Sequence, residues 1–167
     1  MNDQSADKPL AGPNLDARLT PVERAFRKIL LDLLIGTGRP LLPEEAAAAA
    51  DLSQREGGRL LEAIRAKGLL VRTGSGEIAF VYPVSALPTP HRVTLADGRA
   101  FYAMCAMDAL GSAYEFDRDA TISSSCSHCR RPLTVSLAGG ELAVADPPTI
   151  QVLHVDLDRY GDWAANC

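Results

Sequence analysis

The stretch Leu69-Leu70-Val71-Arg72-Thr73-Gly74-Ser75-Gly76-Glu77-Ile78-Ala79-Phe80-Val81-Tyr82 decides the fold. Its runs Leu69 to Arg72 and Glu77 to Tyr82 read as strands, and Thr73-Gly74-Ser75-Gly76 reads as the turn of a hairpin. From Thr20 to Gly68 the sequence before it is helical in pattern. Thr20, Pro21 and Glu23 form a helix start: a capping hydroxyl, a proline at the first position and an acid that closes a capping box. Val22, Phe26, Ile29, Leu30, Leu33 and Leu34 follow at helical spacing, and Gly36 and Gly38 end the run. A second helix starts at Pro43, with Glu44 and Glu45 suited to its positive end and Ala46 to Ala50 good helix formers. Ser53 and Glu56 make another capping box, opening a third helix with Leu60, Leu61 and Ile64 inward and Gly68 at its close. Three helices and a hairpin give a winged-helix-like unit.

Outward from this unit, the chain divides. Residues 1–17 are a polar lead-in, 18–82 the winged-helix-like domain, and 83–90, with three prolines, a linker. Residues 91–167 read as a small mixed α/β domain with an antiparallel-type sheet, so the fold class is α+β. Strands are expected at His91 to Leu95, Ala120 to Ser125, Leu133 to Leu137, Leu142 to Ala145 and Thr149 to Val155. Helices are expected at Ala100 to Leu110, ended by Gly111, and at Asp158 to Asn166.

Composition bounds the function. The 167 residues are 47% hydrophobic and 23% charged, which is ordinary for a globular protein with a real core. The net charge of -4 disfavours nucleic-acid binding through bulk charge. No apolar run approaches the ~20 residues of a membrane span, and no secretory leader pattern is present. The expected location is the cytoplasm, where thiols stay reduced and four cysteines point to metal or redox chemistry rather than disulfides.

Two cysteine motifs carry chemistry. In Phe101-Tyr102-Ala103-Met104-Cys105-Ala106-Met107-Asp108-Ala109-Leu110, a helical reading puts Cys105 and Asp108 on one face, three residues apart. A carboxylate raises a neighbouring thiol's pKa, so a thiol-protease or redox role is disfavoured. The pair suits a soft cation that displaces the thiol proton while the carboxyl moves it. A buried cysteine beside a surface aspartate is the alternative. The second motif is Cys126-Ser127-His128-Cys129-Arg130-Arg131-Pro132. A C-x-x-C turn between strands is half of a zinc knuckle, but zinc wants four ligands and no second such pair exists in the chain. A packed turn, a zinc site completed from Cys105, Cys167, His128 or His154, and a secondary soft-metal thiol site all stay open. His91, His154 and Trp163 read as core or surface. Arg55, Arg59, Arg65 and Lys67 line the third helix, where a winged helix would read DNA. Glu56 and Glu62 interrupt them, and the wing has no Lys or Arg.

These stretches resemble the alkylmercury lyase family from about Thr20 onward, most closely from Pro88 to Val135. Tyr102 to Leu110 is similar to that family's active-site helix, with its cysteine three residues before aspartate. Ile122-Ser123-Ser124-Ser125-Cys126 and Pro132-Leu133-Thr134-Val135 resemble the segment of its further, structural cysteine. Cys167 lies at the family's distance for the second active-site cysteine. The resemblance implies C–Hg protonolysis to a hydrocarbon and Hg(II). Cys105 and Cys167 would hold mercury, and Asp108 would carry the proton and lie near the metal. No organic cofactor is implied; small thiols or a mercuric reductase would accept the product. Family members continue past the second cysteine, so the chain is expected to be C-terminally incomplete. The C-x-x-C at Cys126 and Cys129 departs from the family pattern. The competing class is a non-catalytic winged-helix regulator that binds soft metal through its thiols.

Overall fold

The computed structural model describes residues 18–153. Among them are four helices and eight strands, the strands joined in one antiparallel sheet.

The first helix, α1 (Pro21–Thr37), starts where its local chemistry dictates. The Thr20 hydroxyl accepts from the Glu23 N–H at 3.3 Å, and the Glu23 carboxylate accepts from the Thr20 N–H at 2.6 Å. Gly38 ends it in the left-handed conformation, at φ 62°, its N–H donating to the Leu34 carbonyl. Phe26, Leu30, Leu31 and Leu34 face the core, whereas Val22 points outward. The helices α2 (Pro43–Ala49) and α3 (Gln54–Ala66) cross closely, because Gly57 leaves room for Ala47. Ser53 and Glu56 cap α3 reciprocally.

The strands β1 (Leu70–Arg72) and β2 (Ile78–Val81) form the hairpin expected from the sequence. The sheet continues through β3 (Val84–Ser85), β4 (His91–Leu95) and β5 (Ala100–Ala103). After the fourth helix, α4 (Ala106–Phe116), come β6 (Ala120–Ser125), β7 (Pro132–Ala138) and β8 (Glu141–Asp146). Their order across the sheet is β1-β2-β3-β5-β4-β6-β7-β8. The stretch read as a linker therefore contains β3, both of whose residues are buried. It pairs with β2 on one side and β5 on the other, so one sheet runs from the hairpin to β8. Beneath it, α1 packs against β2 and β3, and α4 packs across β4, β5 and β6.

Two expectations are corrected. Ala100 to Leu110 is not one helix. Val93 pairs with Phe101 and Arg92 with Tyr102, which makes 100–103 a strand, and α4 begins only at Ala106. Gly111, read as the end of that helix, lies inside α4, which ends at Asp117 with φ 48°. Nor do residues 149–153 extend as a strand: the Ile150 N–H turns back to the Pro147 carbonyl at 3.1 Å. The expected helix over 158–166, with Trp163, lies outside the described residues, as do His154 and Cys167. Among the described residues no helix is long and apolar enough to cross a membrane.

Candidate active site

The sheet places Cys105. After Ala103 the chain leaves β5 and turns into α4, and Cys105 is the residue that caps it, in extended conformation. Asp108 is therefore the third residue of the helix. Cys105 and Asp108 come together not as two positions on one helical face but as the two ends of a capping arrangement. The Asp108 carboxylate accepts the backbone N–H of Cys105 and its thiol proton. The carboxylate's bond to the Cys105 N–H is one half of a capping box; the other half is missing, because the thiol donates to the carboxylate and caps no helix N–H.

Asp108 is only 4% exposed. Burial pushes its pKa up from 3.8 to about 6, and the two hydrogen bonds from Cys105 pull the other way. A carboxyl in that range exchanges its proton near neutral pH, which a surface aspartate does not. Ser112 lies one turn on, fully buried, its hydroxyl donating to the Asp108 carbonyl at 2.9 Å. Cys105 is half-buried and is not in a disulfide.

Tyr82 and Arg27 belong to the same neighbourhood, and the sequence reading missed both. The Tyr82 hydroxyl rests on α4 at Gly111, where a Cβ would collide with it. Its pKa is pushed up to about 12, by burial first and then by the negative charges of Asp108 and Glu115. The Arg27 guanidinium lies 5.8 Å from the Tyr82 ring centre. It donates to the Tyr82 carbonyl at 2.5 Å and pairs with Glu115 at 2.8 Å. Arg27 is 3% exposed, on the same side of α1 as Leu31 and Leu34. A charge on an apolar helix stripe was the signal that could have found it.

Beyond β6 comes the second motif. Cys126 and Cys129 occupy one tight turn between β6 and β7. The Cys126 N–H donates to the Arg131 carbonyl and the Arg130 N–H to the Cys126 carbonyl, each at 2.9 Å. Arg130 takes a left-handed conformation at φ 62°. The backbone N–H groups of Cys129 and His128 and the Cys129 thiol point at the Cys126 sulfur, holding its pKa below the usual thiol value. Cys129 and His128 are exposed and Cys126 is half-buried. No group of three or more His, Cys, Asp or Glu converges as a metal site among the described residues.

The two motifs share one end of the sheet. His91 pairs with Ala103, and its Nδ1 lies 2.8 Å from the Ser124 hydroxyl. Strands β5 and β6 both run antiparallel to β4, so both run toward this end. Cys105 lies two residues past Ala103, and Cys126 two past Ser124. Burial lowers the pKa of His91 in the row between them. The concavity lined by Thr94, Asp119 and Ser136 is at the other end of β4 and β6 and holds no thiol.

With this geometry in view, the comparisons are specific. The family model for alkylmercury lyase (MerB) matches residues 84–167, half of the chain. The chain belongs to the alkylmercury lyase family. The match begins at β3 and spans α4 and the β6–β7 turn, so both cysteine motifs lie within the matched residues. Among solved structures, the mercury-bound form of MerB2 is similar in fold, with a TM-score of 0.61 at 22% identity. That similarity covers 81% of this chain and 65% of the MerB2 chain. Among curated proteins none matches.

Proposed function

We propose that this alkylmercury lyase family member cleaves carbon–mercury bonds by protonolysis. The observation that carries the reading is the buried Asp108 carboxylate, already hydrogen-bonded to the Cys105 thiol, with a pKa near that of a working acid–base group.

The steps follow from those contacts. Asp108 takes the Cys105 thiol proton, and the thiolate bonds to mercury, displacing the substrate's other ligand. A second thiolate, Cys167, joins the metal; Hg(II) is soft and prefers sulfur. Each added sulfur donor weakens the bond to carbon. Protonated Asp108 then delivers its proton to the carbon as that bond breaks. R–Hg–X and two thiols become R–H, a bis-thiolate Hg(II) and HX. Asp108 remains near the metal, and small thiols or a mercuric reductase draw mercury off. The reaction needs no organic cofactor, because the substrate's own mercury is the electrophile. Helices α1–α3 and the β1–β2 hairpin serve as a winged-helix-like scaffold here. Arg65 and Lys67 are engaged by Glu62 and Glu23, which supports a scaffold over a DNA reader. A reaction that needs reduced thiols suits the cytoplasm, where thiols stay reduced.

The test is direct. Reduced protein is incubated with phenylmercury and excess small thiol, and headspace benzene is measured. Benzene release that disappears in Cys105→Ala supports the reading. No release above the thiol-only control overturns it.

A further inference from the structure

The turn between β6 and β7 has a use that the lyase reaction does not absorb. It holds two thiols three residues apart on a backbone already shaped around one sulfur. The His128 and Cys129 N–H groups converge on Cys126, and the left-handed Arg130 closes the loop through the Cys126 carbonyl. Cys129 is exposed, so an incoming metal complex can be attacked from solvent. Arg130 and Arg131 flank the turn, are exposed, and favour an anionic carrier.

We propose that Cys126 and Cys129 form a second, two-sulfur site for Hg(II), filled from small-thiol complexes or from the mercury released at Cys105. The ligand set decides the cation. A zinc ion wants four ligands, and among the described residues no third His, Cys, Asp or Glu side chain joins these two sulfurs as a metal site. Hg(II) is satisfied by two thiolates. The exchange balances without an oxidant. A bis-thiolate complex Hg(SR)₂ and the two protein thiols give the protein-bound Hg(II) and two RSH, the cysteine protons leaving on the departing thiolates. Position supplies the route. Two strand spacings, about 10 Å, separate the rows that carry Cys105 and Cys126 at the same sheet end. Only the source of the metal rests on the lyase reading; the binding does not.

The experiment uses the full chain, reduced, with Cys105→Ser and Cys167→Ser in place, so that the turn holds the remaining thiols. One equivalent of mercuric chloride is added with excess reduced glutathione. Mercury retained after desalting is measured, together with the thiolate-to-mercury absorption in the ultraviolet. The second sulfur acts at high effective concentration, so the dithiol is expected to outbind either thiol singly by about 100-fold or more. One mercury per chain is expected to be retained. Adding Cys129→Ser, at an exposed position, should abolish retention and the absorption band, while His128→Ala should leave both. Adding Cys126→Ser should match Cys129→Ser, and circular dichroism confirms that each variant is folded. Retention unaffected by Cys129→Ser, or no retention with both cysteines present, overturns the proposal. Benzene release from phenylmercury by the unsubstituted protein is scored separately. Its absence alongside retained mercury would remove the lyase reading and leave this site standing.

Discussion

The Asp108 carboxylate accepts both the backbone N–H and the thiol proton of Cys105, the residue that caps its own helix. The N–H bond caps the start of α4, and the thiol bond joins the two groups that the reaction needs. The cost is a carboxylate buried to 4% exposure. Its folded pKa, about 6, stands above the ordinary 3.8. The folded protein therefore binds this proton more tightly than the unfolded chain does. Stability falls as pH rises between those values, and the penalty is complete above about 6. Asp108→Asn removes the charge and keeps an acceptor for the Cys105 N–H. The variant should be more stable than the parent near neutral pH by ~1–3 kcal/mol, with the gain gone at about pH 4. Urea titrations at the two pH values check this. A loss of stability at neutral pH would show that the ionised carboxylate is a net support for the fold.

The same variant should lose activity. A positioned proton carrier contributes ~10²–10⁴-fold, so protonolysis by Asp108→Asn should fall by at least ~10²-fold. In the parent, Asp108 must be ionised to take the thiol proton. The rate on phenylmercury at limiting substrate should rise with pH through about 6. A profile flat from pH ~5 to ~8 would exclude this carboxyl as the first base.

How much of this was legible depends on range. The capping boxes at Thr20/Glu23 and Ser53/Glu56 were readable because each is closed by residues three apart. The hairpin was readable from its glycine turn. The start of α4 was not. Ala100, Ala103 and Ala106 favour helix, and cysteine gives no capping signal. The deciding contact was the pairing of β5 with β4, from Val93 to Phe101, which no local window contains. Cys105 and Asp108 were found as a pair, but their relation was misread for that reason. Tyr82 and Arg27 were missed because their contact spans 55 positions. Cys126 and Cys129 were recognised as a turn, yet the N–H groups that shape it around sulfur emerge only from the fold.

Gly111 is the second place where α4 depends on distant chain. A Cβ there would collide with the Tyr82 hydroxyl but would lie 3.4 Å from the ring carbon that bears it. Tyr82 is packed between Arg27 and the Asp108 neighbourhood, so it has little freedom to retreat. Gly111→Ala should destabilise by ~1–3 kcal/mol from overpacking, even though alanine favours a helix by ~1 kcal/mol. Adding Tyr82→Phe removes the clashing oxygen and should return most of that loss. If the double variant is no more stable than Gly111→Ala, measured by thermal unfolding, the hydroxyl is not the obstacle.

Arg27 ties the helical part of the chain to α4 with two separate hydrogen bonds. One Nη donates to Glu115 at 2.8 Å and the other to the Tyr82 carbonyl at 2.5 Å. Arginine is 3% exposed in this pair and Glu115 20%, so water reaches the acid and softens its loss of a partner. Arg27→Met should cost ~2–4 kcal/mol, at the lower side of what breaking a buried pair costs. Arg27→Lys should recover little, because one ammonium cannot reproduce a fork that reaches two acceptors. Arg27→Met with Glu115→Gln should recover more than lysine does, since the stranded charge is gone. Urea unfolding of the three variants separates these outcomes. Full recovery by lysine would mean that charge alone holds the junction, and the guanidinium geometry beside Tyr82 would have no part in it.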